Sequence, residues 1–146
     1  MTWSVHAWFG AILSASWLAC SSPMSAQTSA TVHDNEHLPS GDATRGRALT
    51  NQNSCTECHG VDYSGSAFYP NITPDAQTGV GSWTDAELAA AIRDGRYIDG
   101  ASLCSLMERF PFSDQETADV IAYLRSLPAV AKPNAGVCPG HGTNAP

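Results

Sequence analysis

Three stretches of the chain repeat apolar residues at the period of a helix, and no stretch shows the sustained alternation of a half-buried strand. The first runs from Asp42 to Asn51, is opened by Ser40-Gly41-Asp42, and holds Gly46 and Leu49. The second opens on Thr84-Asp85-Ala86-Glu87, in which a hydroxyl and a carboxylate three residues apart can satisfy each other's backbone N–H groups. It continues through Leu88, Ala91 and Ile92 and stops at Gly95. The third opens on a second such box, Ser113-Asp114-Gln115-Glu116, and ends at Leu127 because Pro128 disfavours helical backbone before it. Its stripe of Val120, Ile121, Leu124 and Leu127 packs one helix face on a core. The pattern therefore predicts an all-α fold with long loops.

The first 33 residues behave differently, carrying no Asp, Glu, Lys or Arg. Val5 to Ala19 is mostly apolar, too short to span a bilayer comfortably but suited to the apolar region of an export signal. Two processing routes are open. Leu18-Ala19-Cys20-Ser21 resembles a bacterial lipoprotein site, at which Cys20 would become a lipid-bearing first residue, although Trp17 and an uncharged start depart from that pattern. Cleavage after Met24-Ser25-Ala26 would discard Cys20 instead. Residues 1–20 thus read as a signal, and residues 21–40, rich in Ser, Ala and Thr, as a flexible tether whose His33 and His37 are solvated. Residues 41–130 form the domain and residues 131–146 a tail.

A length of 146 residues allows one domain of ordinary size with a leader, not two full cores. Seven Lys and Arg against fourteen Asp and Glu give a net charge of −7, which argues against nucleic acid as a partner. At 42% apolar and 14% charged, the chain is too apolar to remain disordered. Five cysteines, at positions 20, 55, 58, 104 and 138, are an odd number for a disulfide framework.

Cys55-Thr56-Glu57-Cys58-His59 supplies the reason. Two thiols three apart can each form a thioether to one vinyl group of a haem, and the next residue places an imidazole under the iron. A thioredoxin-like redox pair would need a surrounding βαβ pattern, and a zinc site would need a second close Cys/His pair; neither is present. One covalent haem c is expected, with Cys55 and Cys58 as its attachment points and His59 as its proximal ligand. Past the leader and tether, Met107 is the only methionine, and it falls between two helices where a loop can bring it to the opposite face. It is the candidate second axial ligand; His141, in a Pro- and Gly-rich tail, is the rival.

In order along the chain stand Arg45-Gly46-Arg47, the C-x-x-C-H-Gly60 motif, Asn71-Ile72-Thr73-Pro74-Asp75, Thr78-Gly79-Val80-Gly81, Trp83-Thr84-Asp85, Asp99-Gly100, Met107 and Ala122-Tyr123-Leu124-Arg125-Ser126-Leu127-Pro128. This ordered set resembles a class I c-type cytochrome over about residues 41 to 130, most closely the monohaem domains associated with bacterial alcohol and aldehyde dehydrogenases. The resemblance implies three to five helices around one haem, with the first and last crossing where Gly46 meets Tyr123. It implies that a carbonyl at Pro70 or Pro74 fixes the His59 tautomer. Trp83, Asn71, Arg93 and Arg96 become candidates for the haem edge and propionates. Leu49, Tyr69, Ile72, Ile98, Leu103 and Leu106 are candidates for the apolar wall.

Glu108 stands where many such proteins have proline after the methionine, so the methionine loop needs another fastening. A Cys104–Cys138 disulfide is the expected one, since two remaining thiols in an exported protein usually pair. The function implied is single-electron transfer, not catalysis, between an exported or membrane-bound donor and an acceptor such as a terminal oxidase, in or exported to the periplasm of a bacterium. Partners presenting Lys or Arg suit the net charge. A dedicated haem subunit of a dehydrogenase complex is an alternative, as is a gas-binding or peroxidatic haem protein if Met107 is not a ligand.

Overall fold

The computed structural model describes Met1, residues 35–66 and residues 68–133. Cys20, His33, Cys138 and His141 lie outside the described residues. Four α-helices are present among them: α1 (Ala43–Gln52), α2 (Cys55–His59), α3 (Asp85–Ala89) and α4 (Asp114–Ser126). A single wider π turn (Ala90–Asp94) extends α3 to Gly95. The strand-like geometry described is limited to one isolated antiparallel bridge, Arg96 to Ser102.

The helix starts follow the sequence closely. Asp42 caps α1 by accepting from the Thr44 and Arg45 N–H groups at 2.8 and 3.0 Å. Both capping boxes form: Thr84 with Glu87 at the start of α3, and Ser113 with Glu116 at the start of α4. The short helix α2 has no period long enough to announce it. It is joined to α1 through Ser54, a left-handed residue (φ 54°) that carries no capping bond.

α1 and α4 cross in the most extensive helix contact of the fold. Gly46 makes the crossing possible, because a Cβ there would lie 1.9 Å from the Asp119 carbonyl oxygen and 2.8 Å from the Tyr123 Cβ. The crossing is also locked by charge. Asp119 is 2% exposed and accepts from Arg45 Nε at 2.7 Å, the Asp42 N–H at 2.7 Å and Gln115 Nε2 at 2.9 Å. These bonds hold its carboxyl at a pKa of about 2. Beneath the crossing, Tyr63 meets Tyr123 edge to face and donates to Thr50 Oγ1 at 3.0 Å. The buried core continues through Val80, Leu88, Ala89, Ile92, Val120, Ile121 and Leu124.

Both ends of the described chain are tied to this body. Asn35 Nδ2 donates to Asp94 Oδ2 at 3.0 Å, and its carbonyl oxygen accepts from Arg93. At the other end Val130 and Lys132 lie across the loops between α2 and α3, with their N–H groups on Thr73 and Thr78 Oγ1 at 3.2 and 2.9 Å. The Lys132 ammonium reaches the Gly65 carbonyl at 2.6 Å. No helix among the described residues is long and apolar enough to cross a membrane.

Candidate functional site

A cavity of about 530 Å³ opens between α2, the loops after it, the α3–π helix and the loop before α4. Helix α2 brings Cys55, Cys58 and His59 to one part of its lining, and the loop between the π turn and α4 brings Met107 to the same cavity. Residues 48 positions apart in the chain thus share one enclosure, as their separate sequence signals require.

His59 is buried, and its Nδ1 lies 2.9 Å from the Pro70 carbonyl oxygen. A carbonyl can only accept, so Nδ1 carries the proton and Nε2 keeps its lone pair. Of the two proline carbonyls open from sequence, this bond selects Pro70. Burial pushes the His59 pKa below its ordinary value, more than the Pro70 bond raises it, which favours the neutral ring. The loop that leads to Pro70 is tied at both ends: Gly65 N–H donates to the His59 carbonyl at 2.8 Å, and Ser66 N–H to the Tyr69 carbonyl at 3.0 Å. Tyr69 meets the imidazole edge to face.

Cys55 and Cys58 are not bonded to each other. Burial raises the Cys55 pKa, the opposite of what an attacking thiolate in a redox pair requires. Among the described residues no three His, Cys, Asp or Glu side chains converge as a metal cluster. Cys104 is disulfide-bonded.

The wall is apolar. Tyr69, Ile72, Trp83, Leu103 and Leu106 line it as expected from sequence, joined by Val80, Leu88, Ala91, Ile92, Phe110 and Leu124. The helical members of that second group were legible as core stripes; their stripes face the cavity and the core together. Phe110, in a loop, gives no periodic signal. Tyr97 also lines the cavity and packs edge to face on Trp83, with ring centroids 5.1 Å apart. Arg125 on α4 fixes that edge by donating to the Trp83 and Val80 carbonyls.

Four expected contacts lie elsewhere, and a fifth also does other work. The Arg93 side chain is fully buried and ion-paired with Asp114 at 2.5 Å, and Arg96 Nη1 donates to the Gly100 carbonyl at 3.1 Å; neither lines the cavity. Ile98 is 44% exposed and is also absent from the lining, because the turn at Asp99-Gly100 carries it outward. Leu49 packs on the core cluster instead. Asn71 does line the cavity, but its side chain also serves the fold, accepting from Thr73 N–H and Oγ1 and donating to the Val130 carbonyl.

Residues 43–128 match the family model described as Cytochrome c. The chain belongs to the cytochrome c family. Its relatives agree: the cytochrome is 30% identical over 119 residues to a fructose dehydrogenase cytochrome subunit of Gluconobacter japonicus, covering 66% of this chain and 24% of that protein. It is 30% identical over 112 residues to a diheme c-type cytochrome of Cereibacter sphaeroides, covering 60% of this chain and 37% of that one. It is 32% identical over 98 residues to a nicotinate dehydrogenase subunit of Pseudomonas putida, covering 56% of this chain and 8% of that one. The cytochrome thus spans well under half the length of these relatives.

The family carries covalently bound haem c and transfers electrons without catalysing a reaction of its own. The residues present fit that group. An apolar enclosure holds two unpaired thiols, the groups that add to haem vinyls, together with an imidazole whose Nε2 keeps its lone pair and a thioether sulfur, the borderline and soft donors that iron in haem accepts.

Proposed function

We propose that this cytochrome holds one haem and carries single electrons from an exported or membrane-bound dehydrogenase to an acceptor such as a terminal oxidase. The observation that carries the reading is the shared cavity, lined by Cys55, Cys58 and His59 from α2 and by Met107 from the loop before α4. Cys55 and Cys58 would hold the haem through thioether bonds, and His59 and Met107 would ligate its iron. Held by these four residues, the group would supply one-electron chemistry, with no substrate needing to bind in the cavity.

The protein's own work is to orient and to exclude water. Pro70 aims the imidazole through Nδ1, Arg125 holds the Trp83 edge, and Ile72, Val80, Ile92 and Leu124 keep the enclosure dry. The surface favours a basic partner. Arg45, Arg93 and Arg125 are paired with Asp119, Asp114 and Asp85, and Arg96, Arg109 and Lys132 are engaged with backbone carbonyls. With six of the seven cations engaged inside the molecule and, among the described residues, Arg47 alone left over, the surplus carboxylates dominate what a partner meets, so association weakens as salt rises.

Two relatives named as dehydrogenase subunits support a dedicated place in such a complex as a second reading. Export on the leader, a lipid on Cys20 and a Cys104–Cys138 bridge belong to the same proposal; a lipid anchor with a long tether would let the domain reach several partners. A redox titration followed by visible spectroscopy, on protein matured with a haem-attachment system, tests it. One haem per chain with reversible one-electron behaviour and the long-wavelength charge-transfer band of a ferric iron–thioether bond is expected. A carbon monoxide-reactive iron without that band would instead favour gas or peroxide chemistry. Co-purification of a catalytic subunit separates a dedicated subunit from a free carrier, and the intact mass of the mature chain, before and after reductant, reads the lipid and the bridge.

A further inference from the structure

The loop that carries Met107 is fastened to the end of a helix. A helix terminus leaves its last carbonyls without partners inside the helix, and at the π turn those carbonyls are taken by the incoming loop. Phe110 N–H donates to the Ile92 carbonyl at 3.0 Å, and Leu103 N–H donates to the Gly95 carbonyl at 2.7 Å. Between them Arg109 Nε donates to the Asp94 carbonyl at 3.2 Å. The guanidinium lies flat on Gly95: a Cβ built there would stand 2.8 Å from Cζ, Nε and Nη2 alike. Gly95 has φ +62°, so a side chain at this position would be strained and would also displace the arginine.

The three bonds bracket Met107 on both sides, and the only one made by a side chain is that of Arg109. A cation at a helix C-terminus is favoured by the partial negative charge there. Met107 adds one local bond of its own, from its N–H to the Cys104 carbonyl at 3.0 Å.

We infer that Arg109 is a positioning residue for Met107: its guanidinium caps the π turn over Gly95 and thereby fixes the loop from Leu103 to Phe110, with the thioether inside the cavity. The inference rests on the reading of Met107 as the second axial ligand, and its test separates the two. The haem-loaded full chain is compared with Arg109→Ala and Arg109→Lys by two readouts: amide hydrogen exchange at Leu103 and Phe110, which does not depend on the iron, and the charge-transfer band of the ferric iron–thioether bond. In Arg109→Ala, exchange at both amides accelerates about tenfold and the band loses about half its intensity, while exchange within α1 and α4 is unchanged. Arg109→Lys keeps the cation at the helix end without the flat contact and recovers about half of each effect. If the alanine chain does not fold, the lysine chain carries the test, with about threefold faster exchange expected. Wild-type protein without the band overturns the axial reading and the inference with it. Wild-type protein with the band, and variants that match it in both readouts, overturns the role of Arg109 alone.

Discussion

The two parts of the lining that would hold the iron are built by different means. On the His59 side the backbone is knitted by buried side chains: Asn71 and Thr73 are 1% and 0% exposed, and their bonds tie three segments of chain together. On the Met107 side the loop is open, with Leu106 56% exposed and Glu108 and Arg109 also exposed, and it is held by one helix end and by the disulfide at Cys104. The first side is preformed by folding; the second is fastened at a few separate points. An electron carrier has reason for such a division. The imidazole must keep one tautomer and one orientation, whereas the thioether side sets how firmly the second ligand stays and how readily the site opens.

The largest expected effect breaks the methionine side. Replacing Cys104 and Cys138 together by serine removes the proposed bridge, with a loss of about 3–4 kcal/mol in the chain-entropy model for a loop of that length. Denaturant melts of the haem-loaded chain measure it. Amides at Leu103 and Phe110 should lose protection before those at Gly65 and Ile72, and equal loss on both sides would show that the bridge is not specific to the methionine side.

Asn71→Ala attacks the other side. It removes the acceptor of the Thr73 N–H and hydroxyl and the donor to the Val130 carbonyl, leaving buried polar groups unsatisfied at a cost of about 2–3 kcal/mol. Protection should now fall first at Ile72 and Val80, with Phe110 unaffected. A stability within about 0.5 kcal/mol of wild type would mean that water replaces these bonds freely and that the His59 side is no better built than its counterpart.

Both sides hang from the α1–α4 crossing, and acid reaches it through Asp119. Its folded pKa is depressed to about 2, chiefly by the hydrogen bond from Arg45, against about 3.9 for an unperturbed aspartate. The unfolded state therefore binds the proton first. The contribution is complete above about pH 4 and is lost as the pH falls towards 2. Because the Arg45 side chain is half exposed and screened by solvent, about 1–2 kcal/mol is at stake. Melts between pH 5 and pH 2 should show Asp119→Asn with a shallower acid decline than wild type, and parallel declines would assign the acid sensitivity to other carboxylates.

Where local rules decide, the fold is legible directly in the residues. The two capping boxes and the stop at Gly95 depend on neighbours within a few positions and stand where their patterns put them, whereas Gly46 answers to Asp119 and Tyr123 on α4, a pairing that only the family resemblance implied. The α2 helix, the π turn and the cavity roles of Phe110 and Tyr97 escaped, because a five-residue helix has no period and a loop aromatic has no stripe. Arg93 escaped for a further reason. As a cation near a helix end it looks available to an anionic ligand, and only the fold shows that Asp114, 21 positions away, already takes it.

The smallest effect tests whether the tail belongs to the His59 side. Lys132 spans from the Thr78 hydroxyl to the Gly65 carbonyl, and Gly65 in turn donates to the carbonyl of His59. Lys132→Met keeps most of the apolar stem and removes the ammonium, so the loss should be about 0.5–1 kcal/mol, as for a partly exposed charged hydrogen bond. Hydrogen exchange at Gly65 and the nitrogen chemical shift of the His59 Nδ1 measure it. Faster exchange at Gly65 with an altered Nδ1 shift would make the tail part of the support of the imidazole. Faster exchange with an unaltered shift would confine that support to Pro70 and the loop behind it, so that the His59 side needs no help from the chain end.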